Sequence, residues 1–74
     1  MDFDTDRIDD AVLALLFLTL DQDGRAWKSF DWNAMNRLHE QGYILDPVNK
    51  AKSVVVTEEG ARRAEGLCRK LFGR

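Results

Sequence analysis

The sequence predicts a mainly α-helical domain with a small β hairpin, in the order helix, possible short strand, helix, hairpin, helix. Apolar residues recur at steps of three and four in residues 7–20, 32–41 and 58–72, which is helical spacing. Asp46-Pro47 ends the first strand of the predicted hairpin, and the β-branched run at Ser53–Val56 that follows is typical of a returning strand. At 74 residues, the chain is expected to form one domain over residues 1–74.

The first predicted helix, residues 7–20, carries apolar side chains on more than one face. Asp6 or Thr5 can cap it, because a short oxygen-bearing side chain accepts hydrogen bonds from free backbone N–H groups. Either the other two helices cover this helix, or it also forms the interface of a homodimer. We expect the homodimer, because so short a chain buries only a modest fraction of its surface. The residues of this predicted interface are Leu13, Phe17 and Leu20.

Residues 25–30 follow a DQDG turn and contain part of an aromatic cluster. They are expected to form a short strand that pairs with the hairpin, or an irregular aromatic plug. The clustered rings of Trp27, Phe30 and Trp32 have two interpretations. Core packing is the favoured one, because such rings bury large areas. The alternative is a stacking platform for bases or a ligand.

The middle helix is predicted over Trp32–Gln41, with Asp31 as its cap and Gly42 as a left-handed stop. Its outward face carries asparagine and arginine side chains, which can read base edges in a major groove. The same composition is also typical of a solvated helix face. The hairpin pairs Tyr43–Leu45 with Ser53–Val56, and residues 46–53 form its wing. Lysines on the wing either contact phosphates or protect a strand edge. The candidate nucleic-acid contacts are Asn33, Asn36, Arg37, Lys50 and Lys52.

The last helix is predicted to begin after Thr57 and to carry one apolar stripe up to Phe72. Cys68 lies on that stripe, so it is expected to be a reduced core thiol rather than a nucleophile. His39 is expected on the surface near a helix end. There is no phosphate-binding glycine loop and no metal-ligand spacing. We therefore expect no enzymatic activity, no cofactor, no metal and no small-molecule substrate.

Charge is distributed unevenly along the chain. Residues 1–23 carry seven acidic side chains and one basic one, whereas residues 24–57 and 58–74 each carry a net charge of +2. A pI near 5.2 is lower than that of most domains that bind duplex DNA. The acidic start does not resemble a secretory signal, and the longest apolar run is too short to span a membrane. The expected location is the cytoplasm.

Two resemblances follow from these motifs. The segment NRLHEQGYI, followed by a hairpin and VVVTEEG, resembles winged-helix regulators of the multiple-antibiotic-resistance type. This likeness covers Trp32–Leu71 and implies a recognition helix at 32–41 and a DNA-contacting wing. The interval between Leu20 and Asp31 is too short for the usual support helix, which implies a reduced winged helix. With its IDDAVLALLFLTL and AWKSFDW segments, the whole chain resembles a small bacterial family of unknown function.

Two functions are compatible with these observations. The first is a small cytoplasmic homodimer that acts through protein contacts. The alternative is a DNA-binding transcriptional regulator that uses the 32–41 helix and the 46–53 wing.

Overall fold

A computed structural model describes residues 2–28 and 30–74, and this part of the chain contains three helices and two strands. The mainly helical class and the predicted order of elements are confirmed, and a short strand does occupy residues 25–27. The elements are α1 (Thr5–Leu18), β1 (Arg25–Trp27), α2 (Trp32–Glu40), β2 (Ser53–Val55) and α3 (Glu58–Phe72).

Helix α1 begins two residues earlier than predicted and also ends two residues earlier. Its cap is Asp4, whose Oδ1 accepts a hydrogen bond from the backbone N–H of Arg7 at 3.2 Å. The prediction of Asp6 or Thr5 as the cap is therefore wrong, because both residues already lie inside the helix. At the other end, the hydroxyl of Thr19 donates to the carbonyl of Leu16, and the backbone leaves the helical conformation.

The caps of the other two helices are confirmed. Asp31 accepts from the backbone N–H of Ala34 at 3.1 Å, and Gly42 adopts φ +81° just after α2. Thr57 accepts from the backbone N–H of Gly60 at 3.0 Å. The Thr57 hydroxyl also donates to the carbonyl of Gly42 at 2.7 Å, so one side chain joins the end of α2 to the start of α3.

The sheet is antiparallel and pairs β1 with β2, with Ala26 opposite Val54. The predicted hairpin partner of β2 contributes one isolated bridge, Ile44 to Val56, and a hydrogen bond from the N–H of Leu45 to the carbonyl of Val55. The segment 53–56 therefore lies between β1 and residues 44–45. The predicted pairing of the 25–30 region with the returning strand is confirmed.

The core is built from the inward faces of all three helices and the sheet. Its largest fully buried side chains include Leu16 of α1, Met35 and Leu38 of α2, and Val54 of β2. The described helices include none that is long and apolar enough to cross a membrane.

Two of the three clustered aromatic rings do not pack in the core. Trp27 is 56% exposed and Trp32 is also more than half exposed, whereas Phe30 is half-buried against the core. The core interpretation is therefore wrong for both tryptophans. Strand alternation turns Ala26 inward and Trp27 outward. Trp32 is the first residue of α2, and the buried residues of that helix are Ala34, Met35 and Leu38.

Candidate interaction surfaces

The buried carboxylate of Asp9 on α1 and the guanidinium of Arg37 on α2 form a two-point ion pair. Arg37 Nε lies 2.7 Å from Asp9 Oδ2, and its terminal nitrogen lies 2.8 Å from Oδ1. This fork geometry makes charge-assisted hydrogen bonds strong and directional. The hydrogen bond to Asp9 is the largest cause of the raised pKa of Arg37. Burial lowers this pKa by less than that bond raises it, and the negative charges of Asp9, Asp31 and Asp6 raise it further. Arg37 therefore holds α1 against α2.

The predicted nucleic-acid contacts fall into separate places. Asn33 and Asn36 are exposed on α2, as predicted for a solvated face. Asn33 and Arg37 share a surface depression with Asp2 and Asp31, whose carboxylates oppose phosphate. Neither wing lysine, Lys50 or Lys52, lines this depression, although both are exposed.

A second surface is apolar and is formed by α1 and α3 together. Leu18 of α1 is 62% exposed and Phe72 of α3 is 48% exposed, and they line one groove. A second groove joins Ala11 of α1 to Leu71 of α3. Leu15 lies four residues after Ala11 and three before Leu18, so it shares their side of α1. We call this surface the α1–α3 face; its apolar residues are Ala11, Leu15, Phe17, Leu18, Leu67, Cys68, Leu71 and Phe72.

The predicted dimer interface coincides with this face only at Phe17. Leu13 is 1% exposed and belongs to the core of the single chain, so it is not available for an interface while this fold is kept. Leu20 is half-buried and packs against the same core. Leu18 was not singled out from the sequence, and Phe72 was placed on the apolar stripe of the last helix without being assigned to an exposed surface. The spacing of Leu18 from Leu15 and the apolar end of α3 were the available signals.

Charges of both signs border the α1–α3 face. Arg63 of α3 pairs with Asp10 of α1 at 3.1 Å, and Glu65 pairs with Arg69 within α3 at 3.0 Å. Asp10 and Arg69 both line the grooves of this face. The rim therefore offers donors and acceptors around an apolar centre, which is the usual anatomy of a protein interface.

The structure does not bring His39 and Cys68 into a common groove. His39 is exposed on α2, with Nδ1 3.1 Å from the carbonyl oxygen of Ile44, and this confirms its predicted place on the surface. Cys68 is half-buried in the groove with Phe17 and Phe72 rather than in the core. Within residues 2–28 and 30–74, no three histidine, cysteine, aspartate or glutamate side chains are placed to hold a metal ion.

Comparison with known proteins places the chain in a family. Residues 4–74 match the model of a domain of unknown function (DUF6429), and the chain belongs to that family. It is similar to the "Uncharacterized protein y4hR" of Sinorhizobium fredii (strain NBRC 101917 / NGR234), with 62% identity over 74 residues that cover 100% of both chains. The predicted resemblance to a bacterial family of unknown function is confirmed. No solved structure matches the chain, and the winged-helix resemblance stays a prediction.

Proposed function

We propose that this chain is a homodimeric module that acts through protein contacts and has no catalytic activity of its own. The observation that carries the proposal is the α1–α3 face. Four large apolar side chains are exposed there on two helices that pack against each other: Leu15, Leu18, Leu71 and Phe72. Large apolar side chains that are exposed in a group on neighbouring helices are a signal of an interaction site.

A second copy of the chain is the occupant that fits this face best. In a twofold interface the same patch meets itself, so it must be complementary to itself. An apolar centre satisfies this condition, and the Asp10–Arg63 and Glu65–Arg69 pairs balance the charge of the rim, so that no patch of one sign faces its own copy. Burying Leu18 and Phe72 would also add apolar area to a small core, and small domains often gain stability by association.

Duplex DNA binding by the 32–41 helix and the 46–53 wing is the less well supported alternative. Arg37, its best base-reading side chain, already donates both hydrogen bonds of its fork to Asp9. Asp2 and Asp31 lie in the same depression. A duplex reader should bind random duplex DNA at low salt and lose affinity steeply as salt is added. We expect no such binding.

Substitution on the α1–α3 face tests the homodimer proposal. Leu18→Asp or Phe72→Asp should convert the dimer to a folded monomer, because a charge would then be buried at the centre of the interface. Val48→Asp is the matched control: Val48 is 71% exposed but lies on the wing and lines neither groove of this face. It should leave the mass in light scattering unchanged. If both face variants remain dimeric, the interface is elsewhere; if Val48→Asp also dissociates, the assignment to this face fails.

A further inference from the structure

A groove beside β1 and β2 lies apart from the α1–α3 face, and one of its lining residues, Ala26, belongs to the core. The groove is lined by Thr19, Asp21, Arg25, Ala26, Trp27, Lys52 and Ser53. Trp27 is the only large aromatic side chain among them. Because Trp27 is 56% exposed, much of the apolar area of this large ring does not contribute to the stability of the fold. The groove shares no lining residue with either groove of the α1–α3 face.

A guanidinium is fixed in the groove that Trp27 lines. Arg25 precedes Trp27 by two residues on the same strand, so both side chains lie on one face of the sheet. Arg25 Nε donates to Ser53 Oγ at 2.7 Å, and its terminal nitrogen donates to the Ser53 carbonyl at 3.1 Å. Ser53 is also the register partner of Trp27. These bonds therefore hold the positive charge of Arg25 at Ser53, the residue that pairs with Trp27.

The groove holds a further positive charge. Lys52 is exposed and lines the groove just before Ser53. The one acidic residue of the groove, Asp21, uses its Oδ1 to accept from the backbone N–H groups of Asp23 and Arg25, both at 2.9 Å. Trp27 therefore shares its groove with two cations, in the segment 24–57, which carries a net charge of +2 in a chain that is acidic overall.

The edge of β1 is closed to an added strand, so a ligand must approach the face of the sheet. The carbonyl of Arg25 accepts from the backbone N–H of Asp21 at 2.8 Å, and its N–H donates to the side chain of the same residue. The N–H of Trp27 donates to Thr19 Oγ1 at 3.3 Å. These groups are the ones a peptide strand would need. An extended peptide is therefore disfavoured here.

We propose that this sheet face binds single-stranded nucleic acid, with one base stacked on Trp27 and the neighbouring phosphates against Lys52 and Arg25. An aromatic ring that shares a groove with cations is an arrangement that proteins use for single strands, because every unpaired base offers a flat face beside a charged backbone. A duplex hides those faces within its stack. The site requires no specific base, since no unpaired amide side chain lines the groove.

Fluorescence anisotropy with labelled oligothymidylate and oligouridylate of about ten nucleotides tests the proposal. The wild type should bind at low salt and weaken as salt is added. Trp27→Ala should reduce affinity about 10-fold, and Trp27→Phe should retain most of it because a ring remains. Lys52→Ala should make the plot of log affinity against log salt concentration less steep, by about the slope that one phosphate contact contributes. Trp32→Ala is the matched control, since Trp32 is similarly exposed but lies on α2 and does not line the groove.

Several results would overturn this site. They are the absence of saturable binding by the wild type at low salt, unchanged affinity in a folded Trp27→Ala variant, and an equal loss in Trp32→Ala. Equal affinity for a duplex of the same length would contradict the single-strand assignment. Tighter binding of either the deoxyribose or the ribose oligonucleotide supports the site and identifies the preferred sugar. Because Leu18→Asp leaves the groove intact, a monomeric variant that still binds separates this site from the dimer proposal.

Discussion

At the scale of single residues, Gly60 shows how one missing side chain sets the position of a helix. A Cβ added there would lie 2.0 Å from the carbonyl oxygen of Tyr43, whereas a Cβ on Gly66 of the same helix would meet open space. The backbone of Tyr43 also accepts from the N–H of Thr57 at 3.0 Å, so it cannot move away freely. Glycine at position 60 therefore allows α3 to begin directly against this carbonyl.

The two glycines make a matched pair for measurement. Gly60→Ala should lower the free energy of unfolding by about 1–3 kcal/mol, as overpacking does. Gly66→Ala should raise it by about 0.5–1 kcal/mol, because alanine is the better helix former and nothing obstructs it. Urea denaturation measures both. Similar effects of the two substitutions would contradict the close contact at Gly60.

The ion pair of Asp9 and Arg37 gives a second prediction at this scale. Arg37→Met should lower the melting temperature, because it leaves the buried Asp9 carboxylate without its partner. Asp9→Leu in the same chain should recover much of the loss, since the double variant buries no unpaired charge. Melting curves of the two single variants and the double variant measure the coupling. Additive losses would mean that the pair does not join α1 to α2.

The raised pKa of Arg37 determines how its contribution to the free energy of unfolding changes with pH. The folded chain holds this proton more tightly than the unfolded chain because Asp9 accepts the hydrogen bonds. The stabilisation from Arg37 is therefore complete at neutral pH. It is lost only in strongly alkaline solution, as the pH rises from the pKa of the unfolded chain through the higher pKa of the folded one.

At the scale of elements, helix ends were predictable where a single residue could act as the cap. Asp31 and Thr57 each stand alone before their helix, and Gly42 is the only glycine after α2 that can supply the left-handed turn. The start of α1 was not predictable in this way, because Asp4, Thr5 and Asp6 can all serve as caps. Tertiary contacts do not decide there either, since all three are exposed.

Substitution can verify the cap of α1. Asp4→Ala should lower the free energy of unfolding by about 1 kcal/mol, because the N–H of Arg7 then loses its acceptor. Thr5→Ala should change it by less than about 0.5 kcal/mol, as expected for an exposed residue inside the helix. Thermal unfolding followed by circular dichroism compares the two. A larger loss for Thr5→Ala would mean that Thr5, as the sequence suggested, caps the helix instead of Asp4.

The sheet face also shows why side-chain direction in a short strand is hard to predict. A three-residue strand has no long alternation to fix its register, and a shift of one residue exchanges the two faces. In β1 the small Ala26 is buried and Trp27 is exposed, which reverses the order expected from ring size. Only the pairing of Ala26 with the buried Val54 decides between the two faces.

At the scale of the whole molecule, the apolar faces of α1 divide between the core and the surface. The sequence indicated that this helix has more apolar sides than one partner can cover. It could not indicate which side α2 and α3 would take, because that depends on how three helices pack. The core takes Leu13 and Leu16, and Leu15 and Leu18 remain outside. One apolar side of α1 is therefore left uncovered in the single chain, as expected, but it carries Leu15 and Leu18 instead of Leu13.

The mass of the wild-type chain in solution decides between a homodimer and a monomer. Light scattering coupled to size-exclusion chromatography, repeated over a range of micromolar concentrations, should give twice the 8.5 kDa mass of one chain. At the lowest concentrations the mass should fall towards that of one chain, as mass action requires of a reversible dimer. A constant mass of 8.5 kDa at every concentration would contradict the account.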